Sequence, residues 1–308
     1  MNKGKKVHFI AIGGSAMHNL AIALKSNGYE VSGSDDEIFE PSRSNLEKHG
    51  ILPPTIGWFP EKIRKDLDFI ILGMHARKDN PELLKAQELN LKVYSYPEFI
   101  YSQSQNKQRV VIAGSHGKTT ITSMILHVLK HTQKKFDYLV GAKIDGFDTM
   151  VRLSDAPIII IEGDEYLSSP IDSTPKFLHY NSHITVISGI AWDHMNVFPT
   201  FDSYKMQFQR LIDATPKSGC IIFNEKDPEL KKMLKKDVED VVKIPYGPHP
   251  HKIKNNKTVL THESGTDEVP FFGEHNMMNV AAALNVCNRL GVAPQVFYSA
   301  LQTFKGAS

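Results

Sequence analysis

Apolar residues in the first part of the chain alternate between short β-rich runs and stretches with the spacing of a helical face. Residues 7–12 form such a run, and helical spacing follows the pair Gly13-Gly14 as far as Leu24. Residues 30–33 predict a second strand, and Gly28 before them is typical of a helix end. The order strand, helix, strand predicts a parallel β-sheet.

The same alternation continues through the rest of the chain. Further strands are predicted at residues 69–73, 93–94, 109–113, 157–161, 184–190, 219–223 and 241–244, and further helices at 201–213, 229–236 and 280–290 and after Asn80 and Gly117. Residues 252–269 are polar and predict a hairpin or an edge loop. Residues 101–108 are polar without periodicity, which is typical of a linker. We therefore expect an α/β protein with two domains, at 1–106 and 107–303.

The composition is that of a folded globular protein. Hydrophobic residues make up 41% and charged residues 23%, and the formal charge of +2 creates no strong field toward nucleic acid or a membrane surface. The longest aliphatic run, at 158–161, is far shorter than the ~20 residues of a membrane span, and two cysteines are too few for a disulfide framework. We expect a cytoplasmic protein that binds neither nucleic acid nor a membrane.

The turn after the strand at 109–113 has the composition of a phosphate-binding loop. The residues expected around the phosphates of ATP are Gly114, Ser115, His116, Gly117, Lys118, Thr119 and Thr120. Lys118 can reach the β- and γ-phosphates, and the Thr119 hydroxyl can ligate Mg²⁺. Ile112 stands where the commonest form of the loop has its first glycine, so this loop is a shorter variant. An ordinary strand-to-helix turn is the alternative.

Acidic residues follow the apolar run at 158–161. Glu162 comes first, and Asp164 and Glu165 come shortly after it. The carboxyl ends of parallel strands form the edge where ligands bind, and Mg²⁺ prefers oxygen ligands. We expect Glu162 to be a ligand of Mg²⁺, with Asp164 and Glu165 near the metal or the substrate. Solvated loop acids are the alternative.

Polar residues of several other segments could also contribute to a site. His194 follows the predicted strand at 184–190 and could bind a second metal ion, although a single histidine is more often a packed or surface residue. Asn276 precedes the helix at 280–290, where capping is favoured over contact with an adenine edge. His127 and His131 have a spacing that can bind zinc, but their polar neighbours predict a solvated face.

The first glycine turn matches a dinucleotide fingerprint only in part. Ser15 and Ala16 occupy the two positions at which G-x-G-x-x-G would need a further glycine. The turn can still accept a pyrophosphate on its backbone N–H groups, with Asp35 or Asp36 beside a ribose. A purely structural turn is the alternative.

Several motifs, taken together and in order, are similar to those of one enzyme family. They are A-I-G-G-S-A-M (11–17), V-S-G-S-D (31–35), D-N-P-E (79–82), A-G-S-H-G-K-T-T (113–120), E-G-D-E-Y (162–166), W-D-H-M (192–195) and G-E-H-N-M-M-N (273–279). The chain resembles the Mur ligases, which use ATP to join amino acids or peptides to UDP-N-acetylmuramic acid.

The resemblance implies the architecture of this family. It implies a Rossmann-like parallel-sheet domain that binds the UDP-sugar and a P-loop α/β domain that binds ATP, followed by a third domain that closes the site. Residues 304–308 resemble the hinge into the third domain, so the C-terminal Mur ligase domain is expected to be missing. Such a chain is expected to bind the UDP-sugar but to ligate little or nothing.

The resemblance also assigns roles to residues. It places Lys118 at the γ-phosphate, Thr119 and Glu162 at one Mg²⁺ and His194 at a second. Asn276 and Asn279 would lie near the nucleotide. The residues implied for the UDP-sugar are Gly13, Gly14, Ser15, Ala16, Met17, Asp35 and His75. Where some family members carry a carbamylated lysine that supports the second metal, this chain has Phe208, with Lys205 as a weak substitute.

Two branches of the family fit the chain. Asp164-Glu165-Tyr166, the run 176–180 and Met74-His75-Ala76 are similar to the branch that adds the tripeptide L-alanyl-γ-D-glutamyl-meso-diaminopimelate in peptidoglycan recycling. Gly13-Gly14 is more similar to the branch that adds L-alanine in peptidoglycan synthesis. We expect the tripeptide, and a monomer.

Two alternative functions lie outside this family. A Rossmann oxidoreductase would bind NAD at the first glycine turn, but the incomplete fingerprint and the second phosphate loop oppose it. A non-catalytic nucleotide-binding module is opposed by the carboxylate and the histidine that follow successive strands.

Overall fold

A computed structural model describes residues 4–235 and 240–306 of the chain. It divides into two compact units, each with its own contacts. The first contains the residues up to Gln105 together with Val151–Asp155 and Tyr166–Tyr180, and the second contains Asn106–Met150, Ala156–Glu165 and the residues from Asn181 onward. The predicted helix end at Lys236, and Ala307 and Ser308 of the predicted hinge, lie outside the described residues.

The regular elements alternate along most of the chain. The strands are β1 (Lys6–Ile10), β2 (Glu30–Ser34), β3 (Phe69–Leu72), β4 (Val93–Ser95), β5 (Gln108–Ala113), β6 (Asp137–Leu139), β7 (Val151–Arg152), β8 (Ile158–Glu162), β9 (Leu167–Ser169), β10 (Asp172–Pro175), β11 (Ile184–Ile187), β12 (Cys220–Asn224), β13 (Val242–Tyr246), β14 (His251–Lys254), β15 (Lys257–His262) and β16 (Gly265–Val269). The α-helices are α1 (Ser15–Ser26), α2 (Ser42–Lys48), α3 (Pro81–Glu88), α4 (Tyr96–Ser104), α5 (Lys118–Lys130), α6 (Lys176–His179), α7 (Phe201–Asp213), α8 (Pro228–Leu234), α9 (Glu274–Arg289) and α10 (Pro294–Leu301).

The first unit contains the predicted parallel sheet, with the strand order β2-β1-β3-β4. Val7 on β1 lies opposite Val31 on one side and Phe69 on the other. The buried face of α1 covers the sheet because its apolar residues repeat at helical spacing. Gly28 follows the C-cap with a φ of +87°, as expected for the glycine that ends a helix.

The predicted linker at 101–108 is wrong in its first half, because α4 continues to Ser104. A capping box starts this helix: the Ser95 hydroxyl accepts from the N–H of Glu98, and the Glu98 carboxylate accepts from the N–H of Ser95. Such a cap, with buried apolar residues on one side of the helix, outweighs the weak helical propensity of the polar run.

The first unit also includes chain that returns after the second unit has begun. β9 and β10 pair as an antiparallel hairpin, which leads into the short helix α6. Helix α6 packs against α4, and β7 packs against α1. The sequence did not predict this hairpin.

The second unit contains a larger parallel sheet with the order β13-β12-β11-β5-β8-β6. Its central strands are fully buried on both faces, which explains their continuous aliphatic runs. Helices α5 and α9 pack on it. The two parallel sheets confirm the predicted α/β class.

A small antiparallel sheet, β14-β15-β16, accounts for the polar stretch for which a hairpin was expected. Both cysteines, Cys220 and Cys287, are buried and free, as the sequence indicated. Among the described residues, no helix has the length and apolar character needed to span a bilayer.

Candidate functional site

The turn between β5 and α5 is built around two glycines. Gly114 and Gly117 have φ angles of +115° and +81°, a region that disfavours residues with a Cβ. A Cβ on Gly117 would lie 2.5 Å from Oδ1 of Asn279, and one on Gly114 would lie 2.3 Å from Oγ of Ser188. The backbone of the turn therefore approaches its neighbours closely, and only glycine fits.

Hydrogen bonds from β11 and its following loop fix the middle of this turn. The Ser188 hydroxyl donates to the carbonyl of His116, and the Ser115 hydroxyl accepts from the N–H of Ala191 at 2.8 Å. Asp227 holds the same loop by accepting from the N–H of Ile190 at 2.6 Å. The predicted loop residues are thus supported by side chains that sequence patterns alone did not single out.

Lys118 begins α5 and lies within the turn rather than in solvent. Its ammonium donates to the carbonyl of Gly114 at 2.7 Å and lies 3.4 Å from Oε2 of Glu165. Glu165 is 1% exposed. The structure therefore presents a cation at the helix entrance, which favours an anion such as a phosphate, and a buried carboxylate holds this cation in place.

Thr119, one residue further on, contacts Glu162. The Thr119 hydroxyl donates to Oε1 of Glu162 at 2.8 Å, and the N–H of Gly141 donates to Oε2 at 2.9 Å. The register of β5 with β8 brings Ile112 opposite Glu162, and this pairing places the carboxylate near Thr119. Thr120 is half-buried in the same first turn.

A second cluster of potential metal ligands consists of Asp164, Glu165 and His194. One donor atom from each lies within 4.8 Å of the others. Nε2 of His194 lies 3.4 Å from Oε1 of Glu165, and the backbone of His194 has a φ of +53°. His194 therefore shares a cluster with Glu165, whereas Thr119 contacts Glu162.

Tyr204 on α7 completes the surroundings of Glu165. Its fully buried phenol donates to Oε1 of Glu165 at 3.0 Å. Burial, and then the adjacent negative charge of Glu165, raise the pKa of the Tyr204 phenol, so it stays a donor at neutral pH. The sequence pattern indicates no role for Tyr204, because this residue has the spacing of an ordinary core position in α7.

Phe208 and Lys205, which stand near the position of the carbamylated lysine of other family members, make other contacts. Phe208 is buried and packs edge-to-face against Tyr204, with the ring centroids 5.2 Å apart. Lys205 forms ion pairs with Asp202 at 2.9 Å and Glu229 at 3.2 Å.

The two asparagines of α9 differ in environment. Asn279 is buried, with its amide against Gly117 of the turn between β5 and α5. Asn276 does not cap α9, so the capping interpretation is wrong: Gly273 is the N-cap residue, and the Asn276 amide donates to the carbonyl of Phe272 at 2.8 Å. The glycine, with a φ of +94°, starts the helix earlier than the apolar pattern indicated.

The predicted solvated face of α5 is only half correct. His131 is exposed, but Nε2 of His127 lies 2.9 Å from the carbonyl oxygen of Ala300. The two rings are 4.8 Å apart and form no group of three metal ligands within the described ranges.

In the first unit, the glycine turn between β1 and α1 is held by an acid. The N–H of Gly13 donates to Oδ2 of Asp35 at 2.6 Å. Burial raises the pKa of Asp35 to about 6, against the opposing effect of this hydrogen bond. Gly14 is the N-cap residue of α1.

The other residues implied for the UDP-sugar surround the same turn. Ser15 and Ala16 are exposed in the first turn of α1, and Met17 is buried. His75 is exposed and lies beside Gly14, where a Cβ would meet its ring at 3.6 Å. A cavity of about 250 Å³ is lined by His75 and by Asp36, Trp58, Arg77, Asp79, Asn80 and Pro81.

A glycine turn at a helix entrance, with a lysine and carboxylates from the neighbouring strand, defines a nucleotide-binding protein suited to phosphoryl transfer. Residues 112–287 match the family described as "Mur ligase middle domain", and residues 6–108 match "Mur ligase family, catalytic domain". The chain belongs to the Mur ligase family, whose members are ATP-dependent amide ligases.

Three relatives illustrate the similarity. UDP-N-acetylmuramate–L-alanyl-γ-D-glutamyl-meso-2,6-diaminoheptandioate ligase of Haemophilus influenzae is 30% identical over 98% of this chain and 69% of its own length. UDP-N-acetylmuramate–L-alanine ligase of Caldicellulosiruptor bescii is 32% identical over 98% of this chain and 67% of its own. The crystal structure of UDP-N-acetylmuramate:L-alanyl-γ-D-glutamyl-meso-diaminopimelate ligase from Neisseria meningitides matches with a TM-score of 0.88 and 27% identity, over 99% of both chains.

Proposed function

We propose that this protein joins the lactyl carboxylate of UDP-N-acetylmuramate to the amine of L-alanyl-γ-D-glutamyl-meso-diaminopimelate at the expense of ATP. The observation that carries the proposal is the glycine turn in which Lys118 lies beside Glu165 and Thr119 contacts Glu162. The relatives from Haemophilus influenzae and Neisseria meningitides, both named for this reaction, support the acceptor.

The residues present fit ATP and Mg²⁺. The first turn of α5 offers helix N–H groups to phosphate oxygens, and Gly117 leaves no Cβ in their way. The hydroxyl of Thr119 and the carboxylate of Glu162 are oxygen donors of the kind Mg²⁺ prefers, and Asp164, Glu165 and His194 would hold a second ion. Bound Mg²⁺ would neutralise phosphate charge.

The reaction has two steps. A carboxylate oxygen of the lactyl group forms a bond to the γ-phosphorus while the bond between that phosphorus and the β–γ bridging oxygen breaks, which releases ADP and gives an acyl phosphate. The peptide amine then attacks the acyl carbon, phosphate leaves, and the amine loses a proton. Lys118 would stabilise charge on the phosphoryl oxygens, and this stabilisation grows in the transition state.

The first glycine turn would hold the UDP part of the substrate. The first N–H groups of α1 have no partner within the helix and favour an anion such as a pyrophosphate. Asp35 and His75 lie beside this turn and would contact the rest of the nucleotide. We further propose that the protein works as a monomer in the cytoplasm.

L-Alanine is the second candidate acceptor, because the similar ligase of Caldicellulosiruptor bescii is named for it. The two candidates differ only in the incoming amine. The test compares ADP release by the protein at its natural full length with ATP, Mg²⁺ and UDP-N-acetylmuramate, and with either tripeptide or L-alanine added. We expect the tripeptide to stimulate release more strongly, and no stimulation by either compound would contradict the proposal.

Calorimetry on the 308-residue chain provides an independent measurement. We expect separate binding of UDP-N-acetylmuramate and of an ATP analogue with Mg²⁺. An absence of binding by both nucleotides would contradict the roles given to the two glycine turns.

A further inference from the structure

The first unit contains a group of potential metal ligands that the ligase reaction does not use. Glu98, Asp172 and His179 each offer one donor atom, and the three atoms lie within 4.8 Å of one another. Glu98 belongs to α4, Asp172 begins β10, and His179 ends α6. We propose that these three side chains bind a divalent transition metal ion such as Zn²⁺.

A backbone N–H group binds one oxygen of each carboxylate. The N–H of Thr174 donates to Oδ1 of Asp172 at 2.9 Å, and the N–H of Ser95 donates to Oε2 of Glu98 at 2.7 Å. The other oxygen of Asp172, Oδ2, lies 2.9 Å from Nε2 of His179. Backbone donors on the outer oxygen of a ligating carboxylate fix its direction, as is usual around protein-bound metals.

The distances are compatible with a small ion. Ligand atoms about 2.1 Å from a tetrahedral zinc ion are roughly 3.4 Å from one another. Oδ2 of Asp172 and Nε2 of His179 are 2.9 Å apart, which is somewhat less than this value. The three donor atoms lie within 4.8 Å of one another, a limit somewhat above it. Small side-chain rotations would therefore be enough to form three bonds, with water as a fourth ligand.

The chemistry of the donors selects the class of ion. One imidazole and two carboxylates suit Zn²⁺ and related transition metals, and outside a nucleotide site, where no phosphate oxygens add to the ligands, this set favours them over Mg²⁺ and Ca²⁺. The side chains of His179 and Asp172 are 18% and 29% exposed, so the group can exchange an ion with solvent and is partly shielded from it.

The location of the group indicates what the ion would do. Glu98 comes from the first stretch of the unit, whereas Asp172 and His179 come from the hairpin and helix that join it later in the sequence. A metal bound by all three would cross-link these distant segments and stabilise the folded unit, because a ligand that binds only the folded state shifts the unfolding equilibrium. This inference does not depend on the proposed ligase reaction.

The test must separate this group from Asp164, Glu165 and His194, which can also bind zinc. We therefore use His194→Gln as the background and measure Zn²⁺ by equilibrium dialysis after treatment with EDTA. We expect one bound Zn²⁺ and a rise in melting temperature of about 5 °C at saturating zinc. Addition of His179→Gln should weaken zinc binding at least tenfold and abolish the rise.

Two further variants keep the test decisive if His179→Gln does not fold. Glu98→Gln retains the capping box, because glutamine can replace glutamate there, but it removes a charged ligand. Glu88→Gln, at an exposed acid on α3, is the matched control and should bind zinc like its parent. Zinc binding that is equal in the Glu98, His179 and Glu88 variants, or absent from the parent, would overturn the proposal.

Discussion

The two glycine turns of this protein each connect a buried strand to a helix, but they differ in the charge that they present. The turn of the second unit has two glycines with positive φ and leads into Lys118, and carboxylates lie opposite this cation. The turn of the first unit has no lysine, and its Gly13 N–H is already bonded to the carboxylate of Asp35. One strand-turn-helix unit is therefore suited to a triphosphate, and the other to a ligand with less charge on the turn itself.

The largest effect that would test this contrast is removal of the cation. In the protein at its natural full length, Lys118→Ala should lower the ADP release that depends on UDP-N-acetylmuramate and peptide by about 100-fold or more, because a preorganised charge at the phosphoryl group is lost. Initial rates at saturating ATP measure this change. Lys130→Ala, on the same helix and bonded to the carbonyl of Gly146, is the control and should keep its rate. Equal rates for both variants would show that the charge of Lys118 does not distinguish the two turns.

Removal of the Tyr204 hydroxyl should have the next largest effect. Tyr204→Phe leaves Oε1 of the buried Glu165 without its phenol donor, and a hydrogen bond to a charged group contributes about 1.5–3 kcal/mol. Urea denaturation should show a loss of stability of this size. Tyr138→Phe, which loses a contact of 3.2 Å with Thr149, should cost less. A reversed order would show that Tyr204 does not support Glu165.

The first turn offers a paired comparison of two neighbouring glycines. A Cβ on Gly13 would lie 2.9 Å from Oδ2 of Asp35, whereas one on Gly14 would meet its nearest atom at 3.6 Å. Gly13→Ala should therefore weaken binding of UDP-N-acetylmuramate about tenfold, while Gly14→Ala should bind nearly normally. Calorimetry measures both constants. If Gly14→Ala proves to be the weaker binder, the role given to Asp35 is wrong.

The last comparison concerns the pH dependence of stability. The pKa of Asp35 rises from 3.8 to about 6 on folding, so the folded chain holds this proton more strongly than the unfolded chain does. Stability from this group is fully present below about pH 4 and is lost as the pH rises through 6. The melting temperature of the wild type should therefore fall relative to that of Asp35→Asn as the pH rises from 4 to 6. The exposed-site variant Glu47→Gln should track the wild type, and parallel curves for all three proteins would contradict this pKa.

Much of the framework could be predicted because the strands are short, apolar and followed by distinctive residues. The strand at 157–161 and the acid after it were correctly placed, since β8 ends at Glu162. The hairpin of β9 and β10 was missed because its strands are short, polar and without alternation, although Ser169-Pro170 between them is a turn signal. Tyr204 was missed because only the tertiary packing of α7 brings its hydroxyl to Glu165.

The interleaving of the chain has a practical consequence for dissecting this protein. A cut after Gln105 separates the sheet of the first unit from the segments at 151–155 and 166–180 that complete it. No single uninterrupted stretch reproduces the first unit. A fragment that ends near Gln105, as the family match at 6–108 suggests, lacks these segments, and one that extends to Tyr180 adds part of the second unit without the later strands of its sheet.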